Sequence, residues 1–261
     1  MIATLVYHKL WSAENKLVHW SKKVNKDSIL REFQRVTQQG LDILFPPQCA
    51  GCKRGGTVLC SSCMAHFVPA MAPLCQRCGS PLSTMGMCRY HPLGLSGLRA
   101  VSSYQEPLRS CIHALKYDGN TRLAEPLGRL LAQAYRYYGL QADAIIPVPL
   151  HSERQKQRGY NHAYLLAEVC AAQVNVSLYE DMAVRYRATP AQVGLTASER
   201  LQNVAGAFRC SPAFATGALY GRKILIVDDV YTTGATLEAC AGPLFAAGVR
   251  EVWGLVLARP A

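Results

Sequence analysis

The chain has 261 residues, half of them hydrophobic and 17% charged, enough for one or two domains and too apolar for wholesale disorder. No apolar run approaches the ~18–20 residues of a membrane span, and the opening MIATLVYHKLW sets Tyr7, His8 and Lys9 inside any signal-peptide core, so the expectation is a cytoplasmic protein. The formal charge is +11, with residues 1–100 carrying 12 Lys and Arg against 4 Asp and Glu, and residues 101–261 carrying 16 against 13. Such a basic front suits either a polyanionic partner or a solvated face.

Residues 1–44 read as a basic extension. Asp27 or Ser28 would cap a short helix with Ile29, Leu30, Phe33 and Val36 on one side, ending at Gly40. Its pattern suits docking and carries no chemistry.

Residues 45–98 hold seven of the eleven cysteines, in pairs. Cys49-x-x-Cys52, Cys60-x-x-Cys63 and Cys75-x-x-Cys78 are followed by Cys88-x-x-His91 at the same spacing. Two intervening residues let both side chains of a tight knuckle reach one ion, and Gly51 and Gly79 suit such turns. Eight ligands fill two closed tetrahedral zinc sites, which makes the metal structural. Sequential and cross-braced pairings both fit the spacing. A segment so rich in Gly and Pro has little else to fold around. The other cysteines, Cys111, Cys170, Cys210 and Cys240, are scattered, and Cys170 and Cys240 read as buried apolar residues.

Residues 99–261 mix strands and helices. LRAVSSY reads as a strand, LAEPLGRLLAQAYRYYG as a helix and DAIIPVP as a second strand. Leu150 to Asn161 reads as a loop carrying Arg154, Lys156 and Arg158. The stretch from Val184 to Phe208 is long and polar, with Arg185, Arg187, Thr189, Gln192, Arg200 and Asn203 in it and little helical signal before Ser198. The end, KILIVDD then VYTTGAT then LEACAGPLFAAG then VREVWGLVLA, is strand, turn, helix, strand. That βαβ unit implies an α/β fold with a parallel sheet covered by helices on both faces.

The sharpest signal lies in that unit. An apolar strand ends in Asp228 and Asp229, and burying two carboxylates is costly unless something demands it. The turn after them, Thr232, Thr233, Gly234, Ala235 and Thr236, opens a helix whose N–H groups, hydroxyls and dipole favour an anion. Acids that accept from hydroxyls beside a phosphate cradle suggest a sugar phosphate. The G-x-x-x-x-G-K-[ST] and G-x-G-x-x-G patterns of other nucleotide folds are absent.

This strand and turn resemble the phosphoribosyl pyrophosphate (PRPP) motif of type I phosphoribosyltransferases. By that resemblance Asp228 and Asp229 would hold the ribose 2′- and 3′-hydroxyls and Thr232 to Thr236 the 5′-phosphate. The wider pattern is DILFPPQCAGC, the paired cysteines, ALKYDG, PVPLHSERQKQRGYNHAYLLA, NVAGAF and the PRPP motif. Over about residues 41–259 it is similar to the ComF family, which joins a double zinc ribbon to a phosphoribosyltransferase-like domain. His91 stands where that family has cysteine, and residues 1–40 have no counterpart in it.

The resemblance implies a zinc ribbon over 45–98 and a phosphoribosyltransferase-like domain over 99–261. It also implies PRPP or a related sugar phosphate as ligand, with Mg²⁺. Arg154, Lys156 and Arg158 would neutralise a leaving pyrophosphate, and 184–208 would stand where a lid closes. The acceptor-side hood is expected from about residues 99–120, with Lys116 and Tyr117 lining it and Lys116 joining Asp228, Asp229 and Arg158 in catalysis. Two functions follow: a phosphoribosyltransferase-type protein acting in competence or DNA utilisation, or a non-catalytic single-stranded DNA binder with a vestigial or regulatory PRPP site. Competence and DNA-processing proteins would be the partners of either.

Overall fold

The computed structural model describes residues 46–67, 74–75, 77–79, 82, 94–190, 196–214 and 217–260. The helix expected over 28–40 lies outside them, as do Cys88, His91 and Gln192. The chain divides into two compact units, 1–47 and 48–261, and every element below belongs to the second. Among the described residues no helix is long and apolar enough to cross a membrane.

A five-residue helix α1 (Ser61–Ala65) lies in the cysteine-rich segment. Strand β1 (Gly97–Ser103), helices α2 (Leu108–Tyr117) and α3 (Ala124–Tyr137), and strand β2 (Ala144–Pro147) follow. Next come α4 (Ser152–Arg158), α5 (His162–Val174) and β3 (Ala183–Arg185). The chain continues through α6 (Ala197–Val204), β4 (Phe208–Cys210), β5 (Lys223–Val230), α7 (Ala235–Ala246) and β6 (Glu251–Arg259).

Four strands form one wholly parallel sheet in the order β1-β6-β5-β2. Strands covered on both faces must be apolar on both. In β5, Leu225 and Val227 face the layer built with α2, α3 and α5, while Ile224 and Ile226 face the layer of α7, β3 and β4. Residues 255 and 257 of β6 join the first layer and 252 and 256 the second, the period-two alternation of a pleated strand. Strands β3 and β4 pair antiparallel as a separate ribbon on the α7 side. The parallel sheet flanked by helices, with a cysteine-rich module ahead of it, is the architecture the sequence implied.

The stretch expected as a loop over Leu150 to Asn161 is a loop only at its ends. Ser152–Arg158 is a helix because a run of good helix formers is bracketed by two caps. His151 accepts from the Glu153 N–H, and Gly159 takes the left-handed conformation (φ 83°) that closes the last turn. The helical form places Arg154 and Arg158 one turn apart, on one side. The polar stretch before Phe208 is likewise structured: Thr196 and Glu199 form a reciprocal capping box at the start of α6.

Candidate functional site

The Sγ atoms of Cys49, Cys52, Cys60 and Cys63 lie within 4.8 Å of one another. Cys49 to Cys60 and Cys52 to Cys60 are each 3.7 Å. Four thiolates at ~2.3 Å from one zinc ion stand ~3.8 Å apart, so the set fits a tetrahedral zinc site. The N–H groups of Cys60 and Cys63 donate to the sulfurs of Cys49 and Cys60, both at 3.4 Å. Burial opposes charge on Cys49, but N–H donors including that of Cys60 outweigh it and bring the thiol to about 6. Gly51 is needed here for space rather than for its backbone angle: a Cβ would meet Cys63 Sγ and Pro107 Cβ, each at 2.8 Å. Cys75 and Cys78 are buried on a knuckle closed by Gly79 (φ +63°). Arg259 from β6 donates to the Cys78 carbonyl at 2.8 Å.

A second centre lies at the carboxyl ends of the parallel strands, where open α/β sheets bind their ligands. A cavity of about 390 Å³ opens there, walled by Lys116 and Tyr117 of α2, Arg154 and Arg158 of α4, His162 of α5, Arg185 of β3, Arg200 of α6, and Asp228 and Asp229 of β5. Thr232 and Thr236 close its floor. Gly234 caps α7 with φ +87°, and the Thr233 hydroxyl is buried without a hydrogen-bond partner among the described residues. The N–H groups and dipole of a helix N-terminus favour an anion.

The two carboxylates differ sharply. Lys116 Nζ donates to Asp229 Oδ2 at 2.6 Å. His162 Nε2 lies 3.7 Å from the same oxygen and 3.9 Å from Asp228 Oδ1. Burial opposes ionisation of Asp229, but Lys116 and then His162 hold it well below the usual carboxylate range. Among the described residues Asp228 has no Lys or Arg ion pair, and burial followed by the Asp229 charge, against the smaller pull of Lys116, pushes it up to about 8. Burial also lowers His162, leaving a neutral ring. Arg158 Nη1 lies 2.7 Å from His162 Nδ1. A guanidinium can only donate, so Nδ1 accepts and the ring proton sits on Nε2, facing the carboxylates. His162 therefore turns its Nε2–H toward the two acids, at 3.7 and 3.9 Å. Lys116, raised by its two carboxylate neighbours against the opposing effect of burial, stays charged.

The chain is 35% identical over 211 residues to Competence protein F of Haemophilus influenzae, a match covering 77% of this chain and 90% of that protein. The chain belongs to the ComF family. Its likeness to the DNA utilization protein YhgH of Salmonella typhimurium is 36% over 208 residues, 76% of this chain and 89% of that one. The Double zinc ribbon domain family matches residues 40–90, the segment that contains the sulfur cluster. Among solved structures, the glutamine PRPP amidotransferase from B. subtilis, complexed with ADP and GMP, is similar at 17% identity and a TM-score of 0.38. That match covers 56% of this chain and 30% of that one.

In this ComF chain the expected residues Asp228, Asp229, Lys116, Arg154 and Arg158 meet at one cavity with Thr232 and Thr236, while Thr233, Gly234 and Ala235 are not among the residues that line it. Cys49, Cys52, Cys60 and Cys63 meet in another place, which is the sequential pairing for the first metal site. Cys88 and His91 lie outside the described residues. Sequence reasoning did not single out His162, although Asn161 before it is a strong N-cap signal: its side chain accepts from the Ala163 N–H. Tyr104 also reaches the cavity, and nothing in its local pattern marks it.

Cys63 belongs to the same apolar cluster as Leu108 and Ile112 of α2. Cys63→Ser is expected to lose one bound zinc and to destabilise the fold by ~2–5 kcal/mol, by analogy with the loss of a structural cross-link. Metal content and urea unfolding measure both. Because the raised Asp228 carboxyl favours the folded state when protonated, its contribution is full below the ordinary carboxylate range and is lost as pH rises through about 8. Urea unfolding at pH 6 and pH 9 is expected to show a wild type that weakens with pH and an Asp228→Asn variant that lacks this component.

Proposed function

We propose that the chain binds PRPP at this cavity and acts in competence or DNA utilisation, the roles named for its relatives. One observation carries the reading: a buried Asp-Asp pair and a Thr/Gly helix N-terminus share one cationic cavity at the carboxyl edge of a parallel sheet. In this reading Asp228 and Asp229 accept from the ribose 2′- and 3′-hydroxyls, and the turn from Thr232 to Thr236 takes the 5′-phosphate. Arg154 and Arg158 face the pyrophosphate. Asp228 and Asp229 offer the carboxylate oxygens that would suit Mg²⁺, which, when bound with PRPP, would screen charge on the diphosphate. Lys116, charged and on the cavity wall, would stabilise the departing oxygens. Residues 45–98 act as a double zinc ribbon, and residues 99–261 as the phosphoribosyltransferase-like domain.

The test is calorimetric titration of the zinc-loaded protein with PRPP and Mg²⁺. The wild type is expected to bind, and Asp229→Asn to lose at least tenfold in affinity, ~1.4 kcal/mol. A folded wild type that does not bind overturns the reading.

The basic excess of residues 1–100 favours a second reading, a single-stranded nucleic-acid binder with a regulatory sugar-phosphate site. It predicts affinity for a strand of ~20 nucleotides that falls steeply between low and moderate salt. A salt-independent or absent interaction in fluorescence anisotropy would remove it.

A further inference from the structure

A second cavity, of about 220 Å³, opens at the opposite, amino edge of the parallel sheet. Its walls are Arg99 of β1, Lys223 of β5, Glu251 and Trp253 of β6, and the turn from Tyr138 to Ala142 that leads from α3 into β2. Lys223 and Asp228 stand five residues apart on β5, ~17 Å along the strand, so this cavity is separate from the one at Asp228. The turn is braced. The Tyr138 hydroxyl donates to the Ala100 carbonyl at 3.3 Å, and the Ala142 N–H donates to the Tyr135 hydroxyl at 3.0 Å.

Arg99 is the unexpected member of these walls. Leu98 and Ala100 on either side of it belong to the α7 layer, so Arg99 points to the other, helix-covered face, beside Trp253 and in register with Leu255. It is 8% exposed, and burying a charge on such a face is costly unless something uses it. Its guanidinium lies over the Trp253 ring at 5.0 Å and over the Tyr138 ring at 5.4 Å. Gly97 makes room for this stack, since a Cβ there would collide with the indole. Stacking engages the faces of a guanidinium and leaves its five N–H donors to act in its own plane. Of these, Nη1 donates to the Leu98 carbonyl at 2.7 Å. Burial weighs against the Arg99 charge, and Tyr138, Cys75 and Cys78 act the other way, so the cysteine knuckle is the competing reason for the residue.

Glu251 is the only acid among the described residues that line the cavity, and it is already engaged. Lys223 Nζ lies 3.3 Å and Arg250 Nε 3.5 Å from its Oε1, and the Trp253 Nε1–H donates to its Oε2 at 3.3 Å. Arg99, Lys223 and Arg250 thus stand against one carboxylate. A guanidinium fork matches the two oxygens of a carboxylate, and the indole and phenol rings match a flat apolar body. The volume is below the ~300–1,000 Å³ of pockets for drug-sized ligands, which favours an acid of one ring over a nucleotide. We infer that this cavity is a binding site for a small aromatic carboxylate, held by Arg99 and, at the rim, by Lys223, with Trp253 against the ring. The inference does not rest on PRPP binding.

The experiment is titration of the full zinc-loaded chain, labelled with 5-fluorotryptophan, with benzoate, followed by fluorine NMR. Trp11, Trp20 and Trp253 are the three tryptophans, and Trp253→Phe identifies the signal of interest. We expect benzoate to move that signal to saturation, and acetate and benzylamine, which lack the ring or the acid, to leave it in place. Arg99→Gln should weaken benzoate about tenfold, and Asp229→Asn should bind it like wild type. Lys223 is partly exposed, so Lys223→Gln, expected to weaken benzoate about threefold, answers the question if Arg99→Gln does not fold. Zinc content separates the competing reason. An Arg99→Gln variant that keeps its zinc and loses benzoate supports the site. One that loses zinc, with Lys223→Gln binding benzoate like wild type, assigns Arg99 to the knuckle and overturns the inference. A Trp253 signal that benzoate leaves unmoved, or that benzylamine moves equally, overturns it as well. Benzoate binding without PRPP binding would sink the functional reading while leaving this site standing.

Discussion

The contact on which the rest of the site depends is the 2.6 Å bond from Lys116 to Asp229. Two adjacent carboxylates close β5, whose apolar residues are among the most deeply buried in the protein. An ionised carboxylate in such a place is sustainable only with a partner, and removing one partner of a buried pair costs ~3–5 kcal/mol. Lys116 supplies that partner from 113 positions earlier in the chain, and His162 Nε2 faces the same oxygen from 3.7 Å. The outcome is one acid kept ionised and one kept largely protonated, side by side. That asymmetry gives the cavity a fixed negative point at Asp229 and a titratable one at Asp228, with Lys116, Arg154, Arg158, Arg185 and Arg200 on the same walls.

Lys116 is held in place because α2 is pinned at its carboxyl end and along its flank. Its carboxyl end is fixed by the bond to Asp229, and the Leu115 carbonyl accepts from the Tyr160 hydroxyl. Its flank packs against the zinc knuckles, where Cys49, Ala50, Leu59 and Cys63 are part of the same apolar cluster as Leu108, Cys111 and Ile112. The sulfur cluster is thus an outer layer of the sheet's own core. The four-thiol arrangement leaves no open coordination position, and it packs on the helix that bears Lys116.

Much of this was legible in the sequence, and the parts that were not share a physical reason. KILIV and VWGLVLA declare themselves as buried parallel strands because both faces must be apolar, and Asp228 and Asp229 stand out because acids do not belong at the end of such a run. The cysteine pairs announce metal by spacing alone. Ser152–Arg158 is hidden because its helix former content is masked by charge, and its caps, a His and a Gly, are recognisable only once the ends are known. His162 was missed because its importance lies in what it faces across the fold, not in its neighbours. Arg185 sits on a strand of three residues, too short for a period-two signal. Tertiary proximity, not local pattern, makes these residues part of the site.

Strand order carries one more implication. β6 follows every other strand in the chain, yet it lies between β1 and β5. On a ribosome, β1 would emerge some 150 residues ahead of the strand it must pair with, since Gly97 is in register with Trp253. The cysteine knuckles can close around metal as soon as they are made, but the sheet cannot. Until the final strand is synthesised, the apolar edge of β1 is without its ladder, and it is such unpaired edges that chaperones shield during slow, high-contact-order folding.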